Sequence, residues 1–123
     1  MDYEVKNIIH KDSLEITKND REEIVELITN SSKDKILIIH GTDTMDKTAK
    51  FIKKYVEGKT ILLTGAMVPF SIDSVEANAN LSMAIGYLLG HSKSGVHIAM
   101  HGMVNEHQKV YKDRKAGVFK LYM

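Results

Sequence analysis

Apolar and polar positions follow one another along the chain in blocks whose period keeps changing. From Tyr3 to Ile9 the alternation is loose and ends in apolar residues, which predicts a strand. Thr17 can then cap a helix, Asp20 stands three residues on, and Ile24, Leu27 and Ile28 share one face, until Asn30-Ser31-Ser32 closes the element. Lys35 to Ile39 is a nearly continuous β-branched run and predicts a strand covered by helices on both faces. A second helix is expected from about Met45 to Glu57, with Ala49, Ile52 and Val56 inward and Gly58 as its stop. Thr60 to Leu63 repeats the buried-strand pattern, and Gly65 to Phe70 forms a loop holding Pro69. A third helix, about Ser74 to Leu89, ends at Gly90, and Gly95 to Met100 is a fourth strand. Beyond His101 the pattern is polar and irregular, with an extended piece at Lys109 to Lys112 and another at Val118 to Leu121.

Strands alternating with helices in this order predict a three-layer α/β/α fold with a mainly parallel sheet. In such folds ligands bind outside the carboxyl ends of the strands. The segment His40-Gly41-Thr42-Asp43-Thr44 lies at that kind of position, directly after an apolar strand.

Composition narrows the function without naming it. The chain has 123 residues, the length of one domain, and its formal charge of +1 gives no electrostatic case for nucleic acid or a membrane surface. It has no cysteine, which excludes disulfides and thiolate metal sites and fits a reducing, cytoplasmic setting. No Gly-rich phosphate-binding pattern appears, and no cofactor is expected. His97 and His101, if both lay on one strand, would sit about 13 Å apart, too far to share a metal. His91 and His107 read as surface residues.

The polar cluster at 40–44 exceeds what one helix cap requires. A helix start uses one or two side-chain acceptors, whereas Thr42, Asp43 and Thr44 offer three in succession. We therefore expect the segment to act both as a cap and as a site. A hydroxyl there can attack a carbonyl or orient a water, given a base. His40, Lys112 and the other histidines are candidates, against the simpler readings of His40 as a packing histidine and Lys112 as a surface lysine. Ser13 reads first as a turn and cap residue, and Thr64-Gly65 as a close backbone approach.

Three segments together carry a resemblance. KDSLEIT at 11–17, IIHGTDTM at 38–45 and ILLTGAM from 61, followed by Pro69, resemble in order and spacing the N-terminal domain of bacterial-type L-asparaginases, and GVHIAM at 95–100 is similar to a later strand of that family. The resemblance implies a flavodoxin- or Rossmann-like domain over residues 1–123, closest to short one-domain members. It also implies hydrolysis of the side-chain amide of L-asparagine, with a small-molecule amino-acid amide as partner. By motif, Thr42, Asp43 and Lys112 would be catalytic, while Ser13, Asp43, Gly41 and Thr64 would contact substrate, Asp43 at its α-ammonium and Ser13 at its α-carboxylate. The resemblance further implies a domain truncated at its start, lacking the first strand that ends in TGGTI with the primary nucleophile. Strand edges left open in this way are expected to be covered in a homo-oligomer. A non-catalytic amino-acid-binding module and a decayed paralogue are the alternatives to an active enzyme.

Overall fold

A computed structural model describes residues 13–68, 72–90 and 93–122, so the strand expected at Tyr3 to Ile9, Pro69, His91 and the side chain of Ser13 lie outside the described residues. Three strands run parallel, β1 (Lys35–Ile39), β2 (Thr60–Thr64) and β3 (Gly95–Met100), with β4 (Met103–Glu106) antiparallel to β3 in the order β1-β2-β3-β4. Ile36 faces Ile61 and Val96 across the ladder, and Ile38 faces Leu63 and Ile98. β2 is buried along its whole length, as its apolar run predicts. β1 is not. Among the described residues it forms the sheet's outer edge and Ile39 at its end is 72% exposed, yet Ile36 and Ile38 pack into the core on one face and Leu37 into the core on the other, so the expected cover on both faces is present.

The helices form where their patterns place them. Thr17 caps α1 (Lys18–Asn30) through a reciprocal box: its hydroxyl accepts from the Asp20 N–H and the Asp20 carboxylate accepts from the Thr17 N–H. α2 (Met45–Tyr55) buries Met45, Ala49 and Ile52, and ends two residues earlier than expected because Val56 already turns to extended backbone; Gly58 lies beyond it with φ 77°. α3 (Ser74–Gly90) packs on the opposite face. The strand period of two sends Ile61, Leu63, Ile98 and Met100 toward α1 and α2, and Leu62 and Ala99 toward Ala84 and Leu88 of α3. These two cores make the three layers, each fully buried aliphatic side chain contributing about 1.5–3 kcal/mol.

The region after His101 is more regular than its sequence implies. Met100 pairs with Met103 across a two-residue turn, and His101 and Gly102 have φ 51° and 82°, the positive values a tight hairpin of this length demands. β5 (Val110–Asp113) and β6 (Val118–Leu121) form a second, separate hairpin, where the extended pieces were expected. Val110 and Phe119 anchor it in the α2-side core. At the opposite end of the sheet, the Lys59 ammonium donates to the carbonyls of Ile28, Ser31 and Lys33 at 2.7–2.8 Å, satisfying the last turn of α1 and the loop after it.

Candidate active site at the carboxyl ends of the strands

His40 extends the β1–β2 ladder, its N–H donating to the Thr64 carbonyl at 2.9 Å. Its ring is buried and held at both nitrogens. Nδ1 donates to the Gly41 carbonyl at 2.6 Å, so Nε2 is the acceptor and takes the Thr48 hydroxyl proton at 2.8 Å; the Thr48 oxygen in turn accepts from Arg21 Nε. Burial lowers its pKa below the ordinary histidine value. His40 is therefore the packing histidine, and its task is to fix the bend of the loop through the Gly41 carbonyl. Gly65 presses on the same bend, since a Cβ there would collide with the His40 carbonyl oxygen.

The loop presents Thr42 and Asp43 to the β5–β6 hairpin. Lys112, 15% exposed at its side chain, donates from one ammonium to Thr42 Oγ1 at 2.9 Å and to Asp43 Oδ1 at 2.7 Å. This corrects the reading of Lys112 as a surface lysine. Hydrogen bonds from Lys112 and then from Arg114 hold the Asp43 carboxyl below its ordinary pKa. Arg114 bonds Asp43 twice, Nη1 to Oδ1 at 2.9 Å and Nη2 to the backbone carbonyl at 3.3 Å. These groups open onto a cavity of about 290 Å³ that Tyr111 and Tyr122 also line. A groove of about 320 Å³ between α1 and α2 is lined by Val25, Phe51 and Tyr55 with Lys18, Glu22 and Glu26, of which Lys18 and Glu22 pair loosely at 3.9 Å. The expected helix cap is not made in the usual way: Thr44 occupies the N-cap of α2 without a side-chain capping bond, its backbone at φ −126°, ψ 21° being short of the extended geometry that aims a hydroxyl at the first turn.

A polar relay outside the sequence reading holds the hairpin that carries Lys112. Asn80 on α3 donates to the Gly65 carbonyl and accepts from the His101 N–H, clamping the loop after β2 to the turn after β3. His101 Nδ1 accepts from the Phe119 N–H at 3.1 Å, so the neutral ring carries its proton on Nε2, which donates to Glu76. Burial pushes the Glu76 pKa up, but bonds from His101, Met67 and Val68 outweigh it and leave it lowered. Phe119 stands directly across from Lys112 in the hairpin. The His-Gly pair at 101–102 was the one available signal of this turn, and Arg114 and Glu76 carried none.

The remaining predicted residues lie elsewhere. Thr64 is buried with its hydroxyl on the Ala99 carbonyl at 2.7 Å, between strands rather than in the cavity. Gly41 is exposed, and Ser13 opens a short 3-10 turn before α1. His97 is buried against the Tyr87 ring, and His107 begins a 3-10 turn, half-buried. Among the described residues no group of three His, Asp or Glu side chains gathers as a metal site would require.

Comparison with known proteins bears on the family and the fold. The family model "Asparaginase, N-terminal" matches residues 1–118. L-asparaginase 2 of Bacillus subtilis (strain 168) is 32% identical over 80 residues, covering 64% of this chain and 20% of that protein. The probable periplasmic L-asparaginase of Haemophilus influenzae is 38% identical over 76 residues, 59% of this chain and 22% of that one. A glutaminase-asparaginase of Acinetobacter glutaminasificans is 36% identical over 64 residues, 51% and 19%. The chain thus spans about a fifth of the curated relatives it matches. The crystal structure of a probable cytoplasmic L-asparaginase from Campylobacter jejuni superposes with a TM-score of 0.80 at 26% identity, over 94% of this chain and 38% of that one.

Proposed function

The chain belongs to the asparaginase family through its N-terminal domain, and on that premise we propose that it is an asparaginase-like amidohydrolase with a threonine-dependent site. The observation that carries the reading is the single ammonium of Lys112 on both Thr42 Oγ1 and Asp43 Oδ1, which joins residues 69 and 70 positions apart in the chain. Once its ammonium has given one proton to solvent, Lys112 can act as a base. It accepts the Thr42 proton as the hydroxyl oxygen attacks the amide carbonyl of L-asparagine, and Asp43 balances the ammonium so formed. That proton leaves with the amide nitrogen as ammonia. Water then cleaves the Thr42 ester, giving L-aspartate and the free hydroxyl.

Two further parts belong to the same proposal. The edge of β1, which has no neighbour on its outer side among the described residues, supports self-association, and sedimentation as a monodisperse monomer would remove it. Relatives are named for both cytoplasm and periplasm, so kinship assigns no compartment; the lack of cysteine supports a cytoplasmic one. The decisive experiment is ammonia release from L-asparagine by the purified chain, with Thr42→Ala prepared identically. Release that vanishes in the variant establishes the threonine-dependent reaction. Equal release from both, or none from either, ends the enzyme reading for this chain and leaves the binding module and the decayed paralogue.

A further inference from the structure

We infer that Arg114 turns this cavity toward anionic amides, the monoamides of dicarboxylic acids that bear a carboxylate and no α-ammonium, in preference to L-asparagine itself. The inference rests on the amidohydrolase reading of the same cavity and names its substrate class. On the proposed reading Asp43 is the carboxylate offered to a substrate ammonium, and its Oδ1 already receives Lys112 Nζ at 2.7 Å and Arg114 Nη1 at 2.9 Å. Arg114 Nη2 also reaches the Asp43 backbone carbonyl, so the guanidinium is laid along that residue rather than touching it at one point.

An ammonium directed to Asp43 must therefore displace Arg114 or take a place beside it. Like charges a few ångströms apart repel, and more strongly near a protein surface than in open water. Displacing Lys112 is not open to it, because Lys112 is the base. A carboxylate entering the same cavity meets the reverse situation. The guanidinium is a planar fork of five N–H donors, of which the bonds to Asp43 engage two nitrogens, and its side chain is 64% exposed at the cavity mouth. Arg114 can thus pair an anion without leaving Asp43. The cavity's other carboxylate, Asp46, is exposed on the first turn of α2 and is the group that could still receive a cation.

Succinate and L-aspartate separate these cases, since they differ only in the α-ammonium. Their affinities for the full chain and for Arg114→Gln should be measured by calorimetry or by amide-shift titration at one ionic strength. The unaltered chain is expected to bind succinate about fivefold more tightly than L-aspartate, the scale of an exposed ion pair. Arg114→Gln should abolish or reverse that order, and Arg114→Lys should keep part of it, having the charge without the fork. Tighter L-aspartate binding to the unaltered chain, an order unchanged in Arg114→Gln, or no binding of either acid would each overturn the inference. None of these readouts uses turnover, so failure here is distinguishable from failure of ammonia release.

Discussion

Two lysines mark the two ends of the sheet, and each holds its ammonium among oxygens. At the amino end, Lys59 donates to three backbone carbonyls, those of Ile28, Ser31 and Lys33. At the carboxyl end, Lys112 donates to a hydroxyl and a carboxylate. Carbonyls can only accept, so the first arrangement is a staple: three donors meet three acceptors and no proton can go anywhere. A hydroxyl can accept or donate, so the second can run in reverse, with Thr42 giving its proton to the amine. The same side chain is structural or chemical according to what surrounds it, and the difference lies in the partners' chemistry rather than in burial.

Exchanging each lysine for methionine is the sharpest way to break this comparison. Lys112→Met should reduce ammonia release by about 10²–10⁴-fold, the usual worth of a positioned proton acceptor. Its stability should change by no more than about 1 kcal/mol, because methionine fills similar space and Asp43 keeps Arg114. Lys59→Met should do the opposite, costing about 2–3 kcal/mol as carbonyls at the end of α1 lose their donors, with turnover per folded molecule unchanged. Urea midpoints and ammonia release on both variants decide the matter. A comparable stability loss in the two would mean that Lys112 is also a staple.

Neither lysine's role was legible from periodicity. The layers were, because Leu62 and Ala99 fall on one face and Ile61, Leu63 and Ile98 on the other with the strand period, and Thr17 with Asp20 spells out a cap locally. Thr42 and Asp43 were visible as a polar surplus after β1. The three-carbonyl nest of Lys59 and the Arg114 fork were not, since each depends on backbone atoms or residues brought together from far along the chain. The position of β1 at the edge of the described sheet has no signal in its own run for a related reason. Its apolar run reports what packs above and below a strand, and says nothing of which neighbour lies beside it.

His101 tests whether the Lys112 end needs outside support. A histidine in the left-handed region costs about 1–2 kcal/mol, so its place in the β3–β4 turn is held by the bonds to Glu76 and Phe119. His101→Asn suits the turn better but is too short to make both bonds. Global stability should stay within about 1 kcal/mol, while the Phe119 amide exchanges faster and turnover falls a few-fold, roughly the effect of one neutral hydrogen bond. Unaltered exchange at Phe119 would show that the hairpin holds Lys112 without this relay.

The smallest effect is in acid, and it too separates the two ends. Burial lowers the His40 pKa, so near the ordinary value of 6.5 an unfolded chain takes up a proton that the folded chain refuses. Stability is then fully present above 6.5 and declines as pH falls through it, until the folded ring protonates as well. His97 and His107, also lowered chiefly by burial, act in the same direction and window. Asp43 adds a later step. Lys112 and Arg114 hold its carboxyl low, so its contribution is present above 3.8 and is lost as pH drops toward the folded value. That step is slight, because Asp43 is 37% exposed and solvent screens its pairs. His40→Gln should flatten part of the first decline and leave the second. The carbonyls around Lys59 have no proton to exchange in either range, so a decline in His40→Gln as steep as in the unaltered chain would place its source outside the His40 loop, at His97, His107 or beyond.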